Sequence, residues 1–304
     1  MEKEKLLVFD TNSIIHRAFH ALPPLKDKKG EPSGAVYGSL LAFFRFIDEI
    51  KPDYIAVAFD SPEKTFRHKR YKEYKANRPK APDELVSQII RTKSVFSDMG
   101  IATLSKSGLE ADDIVGAVAE RAPENIETII VTGDMDILQL VNERTKVYTL
   151  KRGVKESVLY DREGVMQRYD GIPPEKIPDI KALQGDASDN IPGVEGIGEK
   201  TAIKLIKEHG SLEELYEDLE KGKSSLSAKI KEKLLSEKRK AFLSKELSMI
   251  NKKDFSEFQL SDLCFKTEDG KMTEALEGLG FDSLAKRFKK KDASRQKENL
   301  KLNF

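Results

Sequence analysis

The sequence predicts an α/β fold, with a mainly parallel central sheet flanked by helices and a mostly helical part after it. Three observations lead there. The apolar runs LLVF, IAVAF and TIIVTG alternate with stretches of helical periodicity through the first half, and such alternation builds a parallel sheet covered on both faces. Each of these runs closes on an acid, Asp10, Asp60 or Asp134. From about Asp161 the strand pattern gives way to short helical segments.

The elements follow in order. LLVF is the first strand. Residues 34–50 carry Val36, Leu40, Phe43, Phe44 and Ile47 at helical spacing. IAVAF is the second strand and runs into a basic segment at 64–80. Pro82-Asp83-Glu84 opens a helix that Gly100 stops, so 82–99 is helical. Residues 101–104 form a short strand, and a helix opens near Leu109 with Ile114, Val118 and Ala119 on one face. TIIVT is the next strand and 145–150 another. Helices are then expected at 163–169, 199–209, 212–219 and 225–247, with an amphipathic stretch over 272–288. The tail from Lys289 is polar and expected to fray. The division is a core at 1–160, a helical part at 161–290 and a tail at 291–304.

A chain of 304 residues holds one large or two modest domains, and 38% hydrophobic with 35% charged residues fits a soluble globular protein. No apolar run is long enough to span a membrane, and MEKEKLLVFD enters a strand with no signal peptide. Cys264 is the sole cysteine, which excludes intramolecular disulfides and thiolate zinc sites and points to the cytoplasm.

Nine carboxylates fall in five clusters: Asp10, Asp60, Glu110 with Asp112 and Asp113, Asp134 with Asp136, and Asp186 with Asp189. A lone acid after a strand is usually a turn residue or a helix cap. Several at the carboxyl ends of adjacent parallel strands share one crevice. Like charges gathered there raise one another's pKa and repel. Divalent metal resolves the conflict, and oxygen-only ligands favour Mg²⁺ or Mn²⁺ over zinc. Two such ions can stabilise both oxygens of a phosphoryl displacement and activate water at neutral pH, so no histidine base is required.

The net charge of +1 hides an uneven distribution. Residues 64–80 carry Lys64, Arg67, Lys69, Arg70, Lys72, Lys75, Arg78 and Lys80 against Glu73, with Phe66, Tyr71 and Tyr74 interleaved as stacking surfaces. A basic strip beside an acidic metal cleft is what a phosphodiester substrate requires. Residues 193–201 (GVEGIGEKT) satisfy neither a P-loop, because Glu199 separates Gly198 from Lys200, nor a dinucleotide fingerprint, because Thr201 stands at the last glycine position. Gly193, Gly196, Gly198, Lys200 and Thr201 then form a turn opening a helix, able to hold a backbone phosphate without reading bases. His16 and His20 are four apart, but Arg17 stands where a zinc protease needs Glu. Arg17 and His20 are instead within reach of a phosphate at the cleft.

With these residues in hand, the chain resembles the flap endonuclease, or 5′-nuclease, family, and in particular the N-terminal 5′-3′ exonuclease domain of bacterial DNA polymerases of the first type. The motifs are VFDTNSIIHRAFHALPPL, AVAFDSPEKTFRHKRYKEYKANRP, GLEADDIVG, TGDMDILQL and GDASDNIPGVEGIGEKTA, in family order over about residues 6–290. The resemblance implies a PIN-like nuclease core, a helical arch at about 64–80, and a helix-turn-helix-like duplex-binding subdomain. It implies two catalytic divalent ions. Asp10, Asp60, Glu110 and Asp112 mainly hold the first; Asp113, Asp134, Asp136, Asp186 and Asp189 complete the second or its outer shell. Lys75 and Arg67 match cations at the arch base that contact the scissile phosphate. Tyr74 matches a stacking position, Arg78 a further phosphate contact, and Arg70 joins the same DNA-binding strip. The 193–201 turn matches a duplex-backbone site that also takes a monovalent cation, K⁺ here.

The expected function is a Mg²⁺- or Mn²⁺-dependent 5′-3′ exonuclease and flap endonuclease of replication and repair. Its substrates are branched or nicked duplex DNA with a 5′ flap and RNA primer–DNA hybrids. The protein is expected to be a monomer in the bacterial nucleoid, working with a DNA polymerase. A single-strand ribonuclease with a related acidic core and a catalytically silent flap-binding module are the rival readings. The duplex motif argues against the first and the complete acid set against the second.

Overall fold

The structure is a computed structural model that describes residues 3–286 apart from 152, 155, 225, 267 and 268, with 269 described by its backbone alone. The first half alternates as its apolar runs dictate: β1 (Lys5–Asp10), α1 (Thr11–Ala21), α2 (Gly34–Ile50), β2 (Tyr54–Ala58), α3 (Phe66–Arg70), α4 (Asp83–Asp98), β3 (Thr103–Leu104), α5 (Ala111–Arg121), β4 (Glu127–Thr132), β5 (Thr145–Leu150) and β6 (Ser157–Tyr160). After Tyr160 the elements are helical: α6 (Arg162–Arg168), α7 (Ile177–Gln184), α8 (Glu199–His209), α9 (Leu212–Glu220), α10 (Ala228–Ser236), α11 (Lys238–Ser248) and α12 (Asp269–Gly278).

The strands form one sheet in the order β3-β2-β1-β4-β5-β6, parallel throughout except for the antiparallel edge pair β5–β6. Successive side chains leave a strand on opposite faces. Leu6 and Val8 of β1 therefore pack with Ile114, Val115 and Val118 of α5, while Leu7 and Phe9 pack with Phe43, Phe46 and Phe96 of α2 and α4. Burial on both faces explains why the central strands read as unbroken apolar runs.

The chain order reverses between β1 and β4: β2 and β3 extend one way from β1, and β4 returns to its other side. In open α/β sheets the ligand crevice lies at such a switch point, beyond the carboxyl ends of the strands. Asp10 ends β1 there, and Asp134 follows β4.

The structure departs from sequence expectation in several places. The strand at 101–104 shortens to Thr103–Leu104. β6 and α7 were not anticipated, the one a four-residue edge strand and the other an eight-residue helix, each too short for a clear period. The helix expected over 225–247 is two helices that meet at Glu237, whose carboxylate accepts from Glu195 N and pairs with Lys233. The tail at 291–304 and the end of the stretch at 272–288 lie outside the described residues. Among the described residues no helix is long and apolar enough to cross a membrane.

Candidate active site

A cavity of about 550 Å³ opens at the switch point. Its walls carry Asp10, Asp60, Glu110, Asp112, Asp134 and Asp189 together with Lys75, Arg78, His16, Arg17 and His20.

Asp10 is both the last residue of β1 and the N-cap of α1, accepting from Ser13 N at 3.4 Å. Thr132, the last residue of β4, donates its hydroxyl to Asp10 Oδ2 at 2.6 Å and accepts from Asp134 N at 2.9 Å. This threonine sets the acid of one strand end against that of the next. Asp60 lies just beyond β2 and is open to solvent; its Oδ1 accepts from Ala111 N at 2.8 Å, so the first amide of α5 holds it. Glu110 caps α5, and Asp112 sits in its first turn, where the helix dipole favours carboxylates.

The cations reach the cavity from residues 71–78, a run of turns after α3. These turns dock on the 186–190 loop: Lys75 N donates to Asp189 O at 2.8 Å, Asn77 Nδ2 to Ala187 O at 2.7 Å, and Asn190 Nδ2 to Glu73 O at 2.7 Å. Lys75 adopts φ +55°, and its Nζ lies 3.0 Å from Glu110 Oε1 and 3.8 Å from Asp189 Oδ2. Arg78 pairs with Asp189 and donates from Nε to Ser188 O at 3.1 Å.

Electrostatics separate the acids. Burial pushes Asp10 up to about 6, against hydrogen bonds from Ser13 and Thr132, and the charges of Asp60 and Asp134 add to the rise. Asp112 is pushed well above the carboxylate range by desolvation, then by Asp10, Asp134 and Glu110. Among the described residues Asp10, Asp60, Asp112 and Asp134 have no ion-pair partner. Crowded carboxylates without an ion-pair partner fit a hard divalent cation. No three acids, histidines or cysteines among the described residues close into a ready-made ligand cage; they line a wall instead.

Several expected site residues lie elsewhere. Asp113 is fully buried behind the cavity and takes two 2.8 Å hydrogen bonds from Arg67, while its Oδ1 also accepts from Asn251 N at 2.9 Å. Arg67, expected at the scissile phosphate, is 3% exposed and also donates to the carbonyls of Leu247 and Met249. Burial opposes the arginine's charge, but the bonds and charge of Asp113 hold it firmly protonated. Tyr74 is buried as well; its hydroxyl lies 3.0 Å from both Glu110 Oε2 and Asp189 Oδ2, with one proton shared between the two carboxylates. Arg70 pairs with Glu246 on the surface and does not line the cavity.

Asp136 and Asp186 also sit off the cavity wall, joined through Lys181. Burial and then Asp134 raise Asp136 to about 7. Asp186 falls to about 2 despite burial, because Lys181 and Ser188 donate to it. Arg17 lines the cavity, but its Nη1 and Nη2 donate to the carbonyls of Lys151 and Gly133 at 2.9 Å each.

In the glycine-rich turn, Gly193 is buried and its N–H donates to Ser244 Oγ at 2.9 Å, so it is not a free phosphate donor. Gly196, Gly198 and Lys200 are exposed at the start of α8, and Thr201 is half-buried.

Sequence reasoning passed over Asn12, Ser13, Thr132 and Lys181, and weighed His16 only as a zinc ligand. Asn12 Oδ1 accepts from Asp60 N at 3.2 Å, and Ser13 Oγ accepts from Gly133 N at 2.8 Å. Burial pulls the His16 imidazole below its ordinary pKa, against the charge of Asp60. A helix starting directly at Asp10 would have signalled Ser13 and His16, whereas Lys181 is legible only once α7 is known.

Comparison with known proteins identifies the family. The family model of the 5′-3′ exonuclease N-terminal resolvase-like domain matches residues 5–170, and that of the 5′-3′ exonuclease C-terminal SAM fold matches 172–271. DNA polymerase I of Caldicellulosiruptor bescii is 42% identical over 287 residues, covering 93% of this chain and 33% of that protein. DNA polymerase I of Bacillus subtilis is 38% identical over 299 residues, covering 98% and 34%. The chain thus spans about a third of the length of these curated relatives. Among solved structures, the T5 D15 protein co-crystallised with metal ions superposes with a TM-score of 0.68 at 17% identity, over 95% of this chain and 98% of that one. Flap endonuclease-1 from Methanococcus jannaschii gives 0.58 at 19%, over 95% and 91%; likeness at this level shows the shared fold. By both family models and by these relatives, the chain belongs to the 5′-3′ exonuclease family.

Proposed function

We propose that this chain is a divalent-metal-dependent, structure-specific 5′-nuclease of DNA, acting as 5′-3′ exonuclease and flap endonuclease. The carrying observation is the cavity itself, which sets six carboxylates, four of them without an ion-pair partner among the described residues, beside Lys75 and Arg78. Two Mg²⁺ or Mn²⁺ ions are the proposed cofactors, supported by the all-oxygen donors and by a metal-bound T5 neighbour. Asp10, Asp60, Glu110 and Asp112 would hold the first ion, with Asp134 and Asp189 facing the second. Bound there, divalent ions supply Lewis-acid stabilisation of the phosphodiester and lower the pKa of water.

The chain's own groups do the rest. Lys75 and Arg78 orient the phosphate at the cavity mouth, and Thr132, Ser13 and Asn12 fix the acids. The exposed turn at Gly196, Gly198 and Lys200 takes the duplex backbone through free amides at the start of α8, with K⁺ as a further ligand of that turn. Substrates are 5′-flapped and nicked duplexes and RNA primer–DNA hybrids, in the cytoplasm, by a monomer working with a DNA polymerase activity; the DNA polymerase I relatives support that last link.

The test is cleavage of three end-labelled substrates with Mg²⁺ and with EDTA: a 5′-flapped duplex, its flap strand alone, and an RNA version of that strand. Metal-dependent cutting near the flap junction is expected. Preferential loss of free RNA would favour a ribonuclease, and tight flap binding without cutting a silent binding module.

A further inference from the structure

Lys181 projects from α7 between two acids of different segments. Its Nζ is 2.7 Å from Asp136 Oδ1 and 2.6 Å from Asp186 Oδ2, and its side chain is 15% exposed. Neither acid lines the open cavity, although Asp134 and Asp189, their near neighbours in sequence, both do. Asp186 Oδ1 is separately occupied by Ser188 N and Oγ, each at 2.7 Å, so Oδ2 is the oxygen that faces the lysine. An ammonium is a compact, strongly hydrated point charge. Placed between two carboxylates at these distances, it provides the charge neutralisation that a cation would.

We infer that Lys181 is a built-in counter-ion of the Asp136–Asp186 pair, a positioning residue that withholds that pair from a second divalent ion and so weakens its capture beside Asp134 and Asp189. The inference rests on the metal-dependent reading given above. Of the four acids proposed for the first ion, Asp10, Asp60 and Asp112 have no ion-pair partner among the described residues, and only Glu110 is paired, with Lys75 at 3.0 Å and Arg67 at 3.3 Å. An ion drawing on Asp136 or Asp186 must instead compete with the Lys181 ammonium. The two sites therefore fill unequally, the one near Asp10 first. An ion that shares an oxygen of Asp136 or Asp186 with Lys181 lies within about 5 Å of its ammonium, which lowers its affinity by at least about tenfold even at a moderate effective dielectric.

The experiment is titration of the metal-free protein with MnCl₂, without DNA, by calorimetry and by loss of the free Mn²⁺ electron-spin-resonance signal. Wild type, K181M and K181R are compared. Wild type is expected to bind one ion tightly and a second weakly; K181M should take the second at least about tenfold more tightly, and K181R should match wild type. If K181M is not folded by circular dichroism, K181Q replaces it. Superimposable isotherms for wild type and K181M would overturn the inference. So would loss of the second ion in K181M, since Lys181 would then be holding the acids in place for it. No Mn²⁺ bound by either protein would sink the metal-dependent reading itself, a different outcome from equal binding by both.

Discussion

Arg67 and Asp113 face each other through two 2.8 Å hydrogen bonds, side by side, with the guanidinium and the carboxylate both withdrawn from solvent. The same guanidinium donates to Leu247 O at the end of α11 and to Met249 O just beyond it. One arginine therefore ties α3, the start of α5 and the end of α11 together. Removing one partner of a buried pair leaves the other charge uncompensated, which costs about 3–5 kcal/mol. We expect Arg67→Ala to lower the unfolding free energy by that amount in urea titration. Normal stability with a large fall in turnover would return Arg67 to the phosphate.

Asp10 gives a pH test. Its carboxyl rises from 3.8 to about 6 in the folded, metal-free protein. Between those values the folded state binds more protons than the unfolded one, so stability falls as pH rises through the window, and the penalty is complete above it. Asp10→Asn removes that penalty. In EDTA at pH 8 the variant should be more stable than wild type by about 2–3 kcal/mol, the gap closing by pH 4. Saturating Mg²⁺ should reverse the ranking. Equal melting of both proteins in EDTA at pH 8 would contradict the assignment.

Lys75 is held in a left-handed turn by its own amide, with its ammonium against Glu110. Lys75→Ala should slow single-turnover cleavage by roughly 10²–10³-fold, in keeping with loss of one preorganised electrostatic group, and change flap affinity far less. Equal losses in both would make Lys75 a DNA-positioning contact only.

Gly193 and Lys200 share a motif but not a task. A Cβ on Gly193, at φ +61°, would collide with Gly185 N and lie 2.7 Å from the carbonyl carbon of Gln184. Gly193→Ala should therefore cost roughly 2–5 kcal/mol. Lys200 is exposed. Lys200→Ala should melt like wild type and reduce the salt dependence of duplex binding by about one phosphate contact. A salt slope identical to wild type would remove the 193–201 turn from the duplex interface.

The sheet was legible because β1, β2 and β4 are buried on both faces and close on acids, so apolar run and site acid came as one pattern. Edge strand β6 carried no such pattern, being half-buried and short. Within the site, the cluster of acids was readable, but the division of labour was not. Arg67 and Arg78 look alike in a basic strip; only the fold buries one against Asp113 and leaves the other at the cavity. Asp112 and Asp113 are adjacent, and helical geometry turns one to the cavity and the other to the core. Lys181 was invisible because its role depends on two acids, one of them 45 positions earlier in the chain.

The cavity acids are strung from Asp10 to Asp189, and the last of them is fastened to the first half of the chain through Lys75 and Arg78. The wall is therefore completed only once residue 189 has been made: a nascent chain carries its earliest carboxylates well before the loop that closes them.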